Sequence, residues 1–230
     1  MEYLGCTVPD DLRVDVENGV WLRPAPDGTA TLGLLAPFVA FAGRIAKITF
    51  RPVEPSIAAG RSVATLETAR LTAPIRTPVG GRVVETHAAL ATDPRPVHDA
   101  PYGAGWLVRI VPDDPALPGL PTAGEARPAL EAQIRERRVR CYAALPDLEI
   151  YEIGAECRAI LARLDEELAR RPVGEVVLLV VDDPTAPIEM VRWSDRTGYP
   201  ILEERRADGL YHFLVRKVPA PVPRPPPRPA

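Results

Sequence analysis

Over its first half the chain alternates short apolar, β-rich runs with Gly and Pro punctuation, and past the middle the period changes. The runs are Thr31 to Leu35, Arg44 to Phe50, Ser62 to Glu67, Arg82 to Thr86 and Trp106 to Val111. Short runs separated by turn residues predict an all-β domain over residues 1–112, a small sandwich or flattened barrel of two antiparallel sheets. Pro74 and Pro78 cannot donate to a sheet ladder and are expected at strand edges. From Pro112 to Pro121 the composition shifts to Pro, Asp and Gly, which marks a boundary. Gly124 to Tyr142 then places Leu130, Ile134 and Val139 among charged residues at near-helical spacing. Residues 113–145 are therefore read as a connecting segment with one helix, whose apolar side packs on a domain.

Residues 146–218 follow a different pattern. Leu148 to Ile153 is strand-like, and Arg158 to Arg170 is an amphipathic helix with Ile160, Leu161, Leu164 and Leu168 on one face. The nearly continuous apolar run Glu175 to Val181 predicts a strand covered on at least one side. Asp183 to Thr197 reads as a second helix, with Asp183 as N-cap and Gly198 as its stop. Ile201 to Arg205 and Tyr211 to Lys217 form a hairpin about Ala207-Asp208-Gly209. The order β-α-β-α-β-β predicts an α+β two-layer sandwich with both helices on one face. Residues 219–230, Pro219 to Ala230, cannot join a packed core and favour an extended polyproline II rod. Such a tail is either solvated or lies in a partner's groove, with Arg224 and Arg228 facing an acidic rim.

Charge and chemistry narrow the function. At 230 residues with a formal charge of −3, the chain lacks the basic surplus of a nucleic-acid protein. Its densest basic run, Arg135 to Arg140, reads as a solvated helix face. With no apolar stretch of about 18 residues and no secretory-signal pattern at the N-terminus, the expectation is a cytoplasmic protein. Three scattered cysteines, Cys6, Cys141 and Cys157, fit a reducing compartment better than a disulfide framework. Cys6 reads as structural or incidental and Cys141 as a small apolar contact. His87, His98 and His212 are far apart and no CxxC occurs, so no metal is expected. His212 alternates with apolar residues as a solvent-facing strand residue would. No nucleophile–base pair and no phosphate-cradling glycine loop is visible.

The string Glu67-Thr68-Ala69-Arg70-Leu71, continued through Ala73-Pro74 to Gly80-Gly81, resembles the lipoyl hairpin of glycine-cleavage H proteins. Asn18-Gly19-Val20-Trp21, Asp27 to Gly33 and Pro101-Tyr102-Gly103-Ala104-Gly105-Trp106-Leu107 resemble that family's opening strand, first turn and PYGxGWL signature. The resemblance implies a lipoyl-type fold of two small sheets, with a short helix at Ala36 to Gly43 and the modification hairpin at one end. Arg70 stands where the family has its lipoyl lysine. A guanidinium stays protonated and delocalised, so it cannot form the lipoyl amide. The two lysines, Lys47 and Lys217, lie outside the hairpin. No cofactor is expected, and Arg70 and Arg76 become candidates for docking a protein partner.

The order of elements over residues 147–218, with Gly154-Ala155-Glu156-Cys157, Asp183-Pro184, Thr197-Gly198-Tyr199 and Gly209 to Lys217, resembles TusA/SirA-type sulfurtransferases. That resemblance implies that Cys157 holds a persulfide. A cysteine opening a helix faces unpaired N–H groups and the positive end of the dipole, which favour the thiolate. The family's C-P-x-P is replaced here by Cys157-Arg158-Ala159-Ile160, so both prolines are missing and Cys157 is either a sulfur site or a small residue retained at the helix start. Taken together, these residues suggest a non-lipoylated adaptor that docks on partners in a sulfur-handling or redox-enzyme complex. The alternative is a sulfur carrier using Cys157, and a third reading is an H protein of glycine cleavage.

Overall fold

The computed structural model describes residues 1–52, 56–155 and 157–219, grouped into one unit ending at Cys141 and another beginning at Tyr142. The first unit opens with a hairpin of β1 (Glu2–Tyr3) and β2 (Cys6–Thr7). Strands β3 (Arg13–Asp15), β4 (Val20–Pro24) and β5 (Ala30–Leu34) lead into helix α1 (Ala36–Ala42). Then come β6 (Ile45–Phe50), β7 (Ser62–Thr68), β8 (Thr72–Arg76) and β9 (Gly81–Thr86), the short helix α2 (Pro96–Asp99), β10 (Val108–Pro112) and helix α3 (Arg127–Glu136).

Antiparallel pairing orders these strands as β3-β4-β5-β10-β9 in one sheet and β6-β7-β8 in the other. The two-sheet, all-β expectation holds, but the sheets do not close into a barrel. Alternate residues point inward from both, so that Leu22, Leu32 and Ile110 share a core with Ile48, Leu66 and Ile75. Pro74 lies within β8, opposite Thr65. Because β8 is an edge strand, its missing N–H removes no central ladder bond.

The segment expected as a connection wraps onto this unit. Val14 donates its N–H to Pro121 O and Ala123 donates to Leu12 O, while Leu130 of α3 is buried with Val8, Leu12 and Trp21. Gln133 Nε2 adds a 2.8 Å bond to Val16 O. Helix α3 ends at Glu136, short of Tyr142, because Arg138 adopts a left-handed φ of 52° and Val139 turns back to Ile134 O.

Cysteine placement departs from the expectation outright. Cys6 and Cys141 form a disulfide across a sequence separation of 135, with Cα atoms 4.7 Å apart. Cys6 is fully buried among Ile134, Val139 and Cys141, where the β1–β2 hairpin meets the end of α3. Cys6 is therefore structural rather than incidental, Cys141 adds a covalent bond to its apolar contact, and the two do not fit the expected set of free, scattered thiols. No helix among the described residues is long and apolar enough to cross a membrane.

In the second unit, β11 (Leu148–Glu152), α4 (Cys157–Arg170), β12 (Val176–Val181), α5 (Ala186–Thr197), β13 (Ile201–Ala207) and β14 (Leu210–Arg216) follow the expected β-α-β-α-β-β order. The sheet order is β11-β12-β14-β13, with β11 parallel to β12 and the other pairs antiparallel. Ile160, Leu164 and Leu168 of α4 and Met190 and Trp193 of α5 pack on Ile150, Val177, Leu179 and Phe213, so both helices cover one face. Gly198 stops α5 in the left-handed conformation, φ 75°, donating its N–H to Ser194 O. Asp208 and Gly209, both at positive φ, make the two-residue hairpin turn.

Two local expectations fail here. Asp183 is not the N-cap of α5; that position is Thr185, and the Asp183 carboxylate instead accepts the Thr185 N–H and hydroxyl in a local turn. His212 does not face solvent. It is buried opposite Val180, with Nδ1 2.9 Å from the Tyr142 hydroxyl, because the face away from the helices is apolar as well. Val176, Leu178, Val180 and Leu214 line that face, and Tyr142 and Ala144 pack against them.

The disulfide closes a long loop and therefore restricts the unfolded chain. Reducing it, or replacing Cys6 by Ala, is expected to lower the stability of the first unit by about 2–4 kcal/mol in urea unfolding. Peptide mapping of unreduced protein should recover Cys6 and Cys141 as one linked pair; free thiols at both positions would overturn the assignment.

Candidate functional site

The Pro101–Leu107 loop, carrying the PYGxGWL-like string, is built into the first unit rather than draped over it. Trp21 Nε1 donates to Leu34 O at 3.0 Å and to Pro101 O at 3.2 Å. Arg23 donates to Tyr102 O, and the Tyr102 hydroxyl accepts the N–H of Ala36 at the start of α1. Burial pushes the Tyr102 phenol well above its usual range, so it stays protonated. Gly105 is required sterically: a Cβ there would sit 2.6 Å from Pro96 O and 2.8 Å from Val97 Cα. These contacts set α1 and the turn after it, on which the hairpin of β7 and β8 rests.

The tip of that hairpin is closed by Thr68. Its N–H donates to Leu71 O at 2.9 Å, and its hydroxyl oxygen accepts the N–H of both Arg70 and Leu71 at 3.0 Å. Arg70 then reaches sideways. Its Nη1 lies 3.5 Å from Phe41 O, and its aliphatic stem crosses Gly43, where a Cβ would stand 3.3 Å from Arg70 Cδ and Nε. Gly43 has φ 77°, so the turn that receives the arginine favours glycine for conformation as well as for space. The exposed Phe41 in turn lies under the Arg137 guanidinium at 4.9 Å.

His98 fixes the same turn from behind. Its Nε2 accepts the N–H of Ile45, the first residue of β6, at 3.0 Å. Burial and the nearby Arg44 lower its pKa from 6.5 to about 4, so the ring is neutral and can accept. Neither Gly43 nor His98 stood out in the sequence as part of a site. A Gly between an apolar helix and a strand was the available signal, and it reads equally as a plain helix stop.

Within the first unit, Arg70 and Arg76 do not share one site. Arg70 is at the closed tip of the hairpin, whereas Arg76 is opposite Ser62 at its open end, donating to Gly60 O. The five residues of β8 put the two roughly 15 Å or more apart. Lys47 is on β6 opposite Glu67, and Lys217 belongs to the second unit, where it donates to the Tyr199 hydroxyl. Cys157 is the first residue of α4; its side chain, like Arg224 and Arg228, lies outside the described residues. Nearby, Gly154 donates to Asp182 Oδ1, Arg163 pairs with Glu152, and Tyr151 and Ile153 are exposed. Among the described residues no group of three or more His, Cys, Asp and Glu is set to hold a metal ion.

Comparison with known proteins divides the chain in the same sense. Residues 12–132 match the sequence profile of the glycine cleavage H-protein family, and residues 153–217 match that of sulfurtransferase TusA. Glycine cleavage system H protein 3 of Aquifex aeolicus (strain VF5) is 41% identical over 111 residues, covering 48% of this chain and 69% of the relative. H protein 2 of the same organism is 35% identical over 142 residues, covering 61% of this chain and 88% of the relative. Among solved structures, an H protein from Mycobacterium marinum covers 53% of this chain and 98% of its own, at 26% identity and a TM-score of 0.47.

The His98 geometry predicts an acid-sensitive first unit. Above pH 6.5 the ring is neutral folded or unfolded and adds no pH dependence. As pH falls from 6.5 to about 4, the unfolded chain takes up a proton that the folded state refuses. Stability should fall across that window by about 3 kcal/mol in total. Urea midpoints measured at intervals across it should show a flatter slope for His98→Gln than for the parent.

Proposed function

The chain belongs to the glycine cleavage H-protein family and contains a TusA domain, and from that premise we propose that it is a non-lipoylated adaptor docking on partners of a sulfur-handling or redox-enzyme complex. The observation that carries this reading is the hairpin tip, where a lipoyl attachment would need a flexible, deprotonatable amine. Arg70 is cationic at any physiological pH, and its stem is laid across Gly43 toward Phe41 O. A lipoyl group does not fit this residue. What the tip offers instead is a fixed cationic surface made of Arg70, exposed Phe41 and Arg137, suited to an acidic and aromatic partner face. A glycine-cleavage role, which would require the lipoyl arm, is disfavoured on the same ground.

A second reading has its own observation. Helix α4 begins at Cys157 within the TusA match, and a 14-residue helix presents unpaired N–H groups and a positive dipole end at its start. In that reading the Cys157 thiolate attacks the outer sulfur of a partner's persulfide. The partner's thiolate leaves, Cys157 holds the new persulfide, and an acceptor thiolate later attacks its outer sulfur, taking the persulfide and releasing the Cys157 thiolate. The adaptor tolerates the loss of this cysteine; the carrier does not.

One measurement tests the absence of lipoylation and a second separates the two readings. Incubated with lipoate ligase, lipoate and ATP, the parent chain should keep its mass while Arg70→Lys gains one lipoyl group; a lipoyl adduct on the parent would sink the proposal. Protein isolated from its own host under non-reducing conditions should show Cys157 without an added sulfur and a larger enzyme in stoichiometric complex. A reducible extra sulfur mapped to Cys157, together with lost function in Cys157→Ser, would transfer the assignment to the carrier.

A further inference from the structure

A second concave surface on the first unit is unrelated to the hairpin tip. At the open end of β7 and β8, a cavity of about 440 Å³ is lined by Arg51, Arg61 and Arg76, together with Ser62, Thr86 and the buried Val63 and Val83. Elsewhere in this unit Arg95, Arg109 and Arg127 pair with Asp93, Glu85 and Glu131, while Arg13, Arg23 and Arg135 donate to a carbonyl or a hydroxyl. The three at the cavity pair with no carboxylate among the described residues, and Arg76 spends one N–H on Gly60 O. Bringing three permanent cations to one cavity costs repulsion that a bound anion removes.

We propose that this cavity binds a small polyanion bearing two or more phosphate or carboxylate groups. The volume falls within the roughly 300–1,000 Å³ of small-molecule sites and leaves room for more than one anionic group. Guanidinium forks bind such groups through paired, charge-assisted hydrogen bonds. Thr86 contributes a hydroxyl donor with no protein partner among the described residues, whereas the Ser62 O–H is already given to Ala64 O. Val63 and Val83 supply an apolar wall for the body of the ligand and strengthen the charge contacts by excluding water. The cavity stands on residues separate from Arg70 and Cys157, so it does not depend on the adaptor reading.

The test is a titration of the full chain with inorganic pyrophosphate and with citrate, each against sodium chloride at matched ionic strength, followed by calorimetry and amide NMR. Saturable one-to-one binding of at least one probe is expected, with shifts at Ser62 and Thr86. Tighter pyrophosphate binding assigns a phosphorylated ligand, and tighter citrate binding a polycarboxylate. Arg51→Gln and Arg61→Gln should each weaken binding roughly tenfold while leaving the thermal melt unchanged, because both side chains are exposed. No saturation beyond the salt control, shifts mapping elsewhere, or undiminished binding in the double glutamine variant would each overturn the proposal.

Discussion

The first unit depends on the burial of Trp21. Its ring fills the space over Gly33, where a Cβ would come within 2.5 Å of it, and its single N–H is shared between a carbonyl of β5 and one of the Pro101 loop. An indole is large enough to dominate a core and has one donor that must be satisfied when buried. That combination pulls β4, β5 and the loop into one arrangement. Tyr102 extends it by accepting the first N–H of α1, so the helix and the turn at Gly43 are held at a defined height above the second sheet.

That height matters because the hairpin tip is read against it. In a carrier the tip must release a long arm; here a short turn tied by Thr68 lays its arginine on a glycine that His98 and α1 hold still. Arg70 thus combines two properties, a charge that cannot be titrated away and a stem in contact with backbone. Both are the premises of the docking role proposed for this tip. The exposed Phe41 and the Arg137 guanidinium above it widen the same surface.

The Cys6–Cys141 bond gives the first unit a covalent end. It joins the N-terminal hairpin to the residue immediately before the second unit begins, and it sits in its own small apolar cluster with Ile134 and Val139. Residues 113–141 thereby become a belt of the H-protein-like unit, with Leu130 and Ile134 as its buried anchors. In the second unit the sheet is apolar on both faces, which explains how a strand such as β12 can have all six residues buried.

The alternation of short apolar runs, the helical spacing of Ile160, Leu164 and Leu168, the Asp208-Gly209 turn and the Gly198 stop are properties of neighbouring residues, and each was legible in the chain alone. So were the two family resemblances and the chemical fact that residue 70 is an arginine. The tertiary structure alone decided four things: the pairing of Cys6 with Cys141, the burial of His212, the separation of Arg70 from Arg76, and the convergence of Arg51, Arg61 and Arg76 on one cavity. Periodicity reports which face of an element is apolar, but not what covers it. Spacing along a strand says nothing about which distant segment closes on it. Those outcomes come from contacts between residues far apart in the chain, where packing selects the partners.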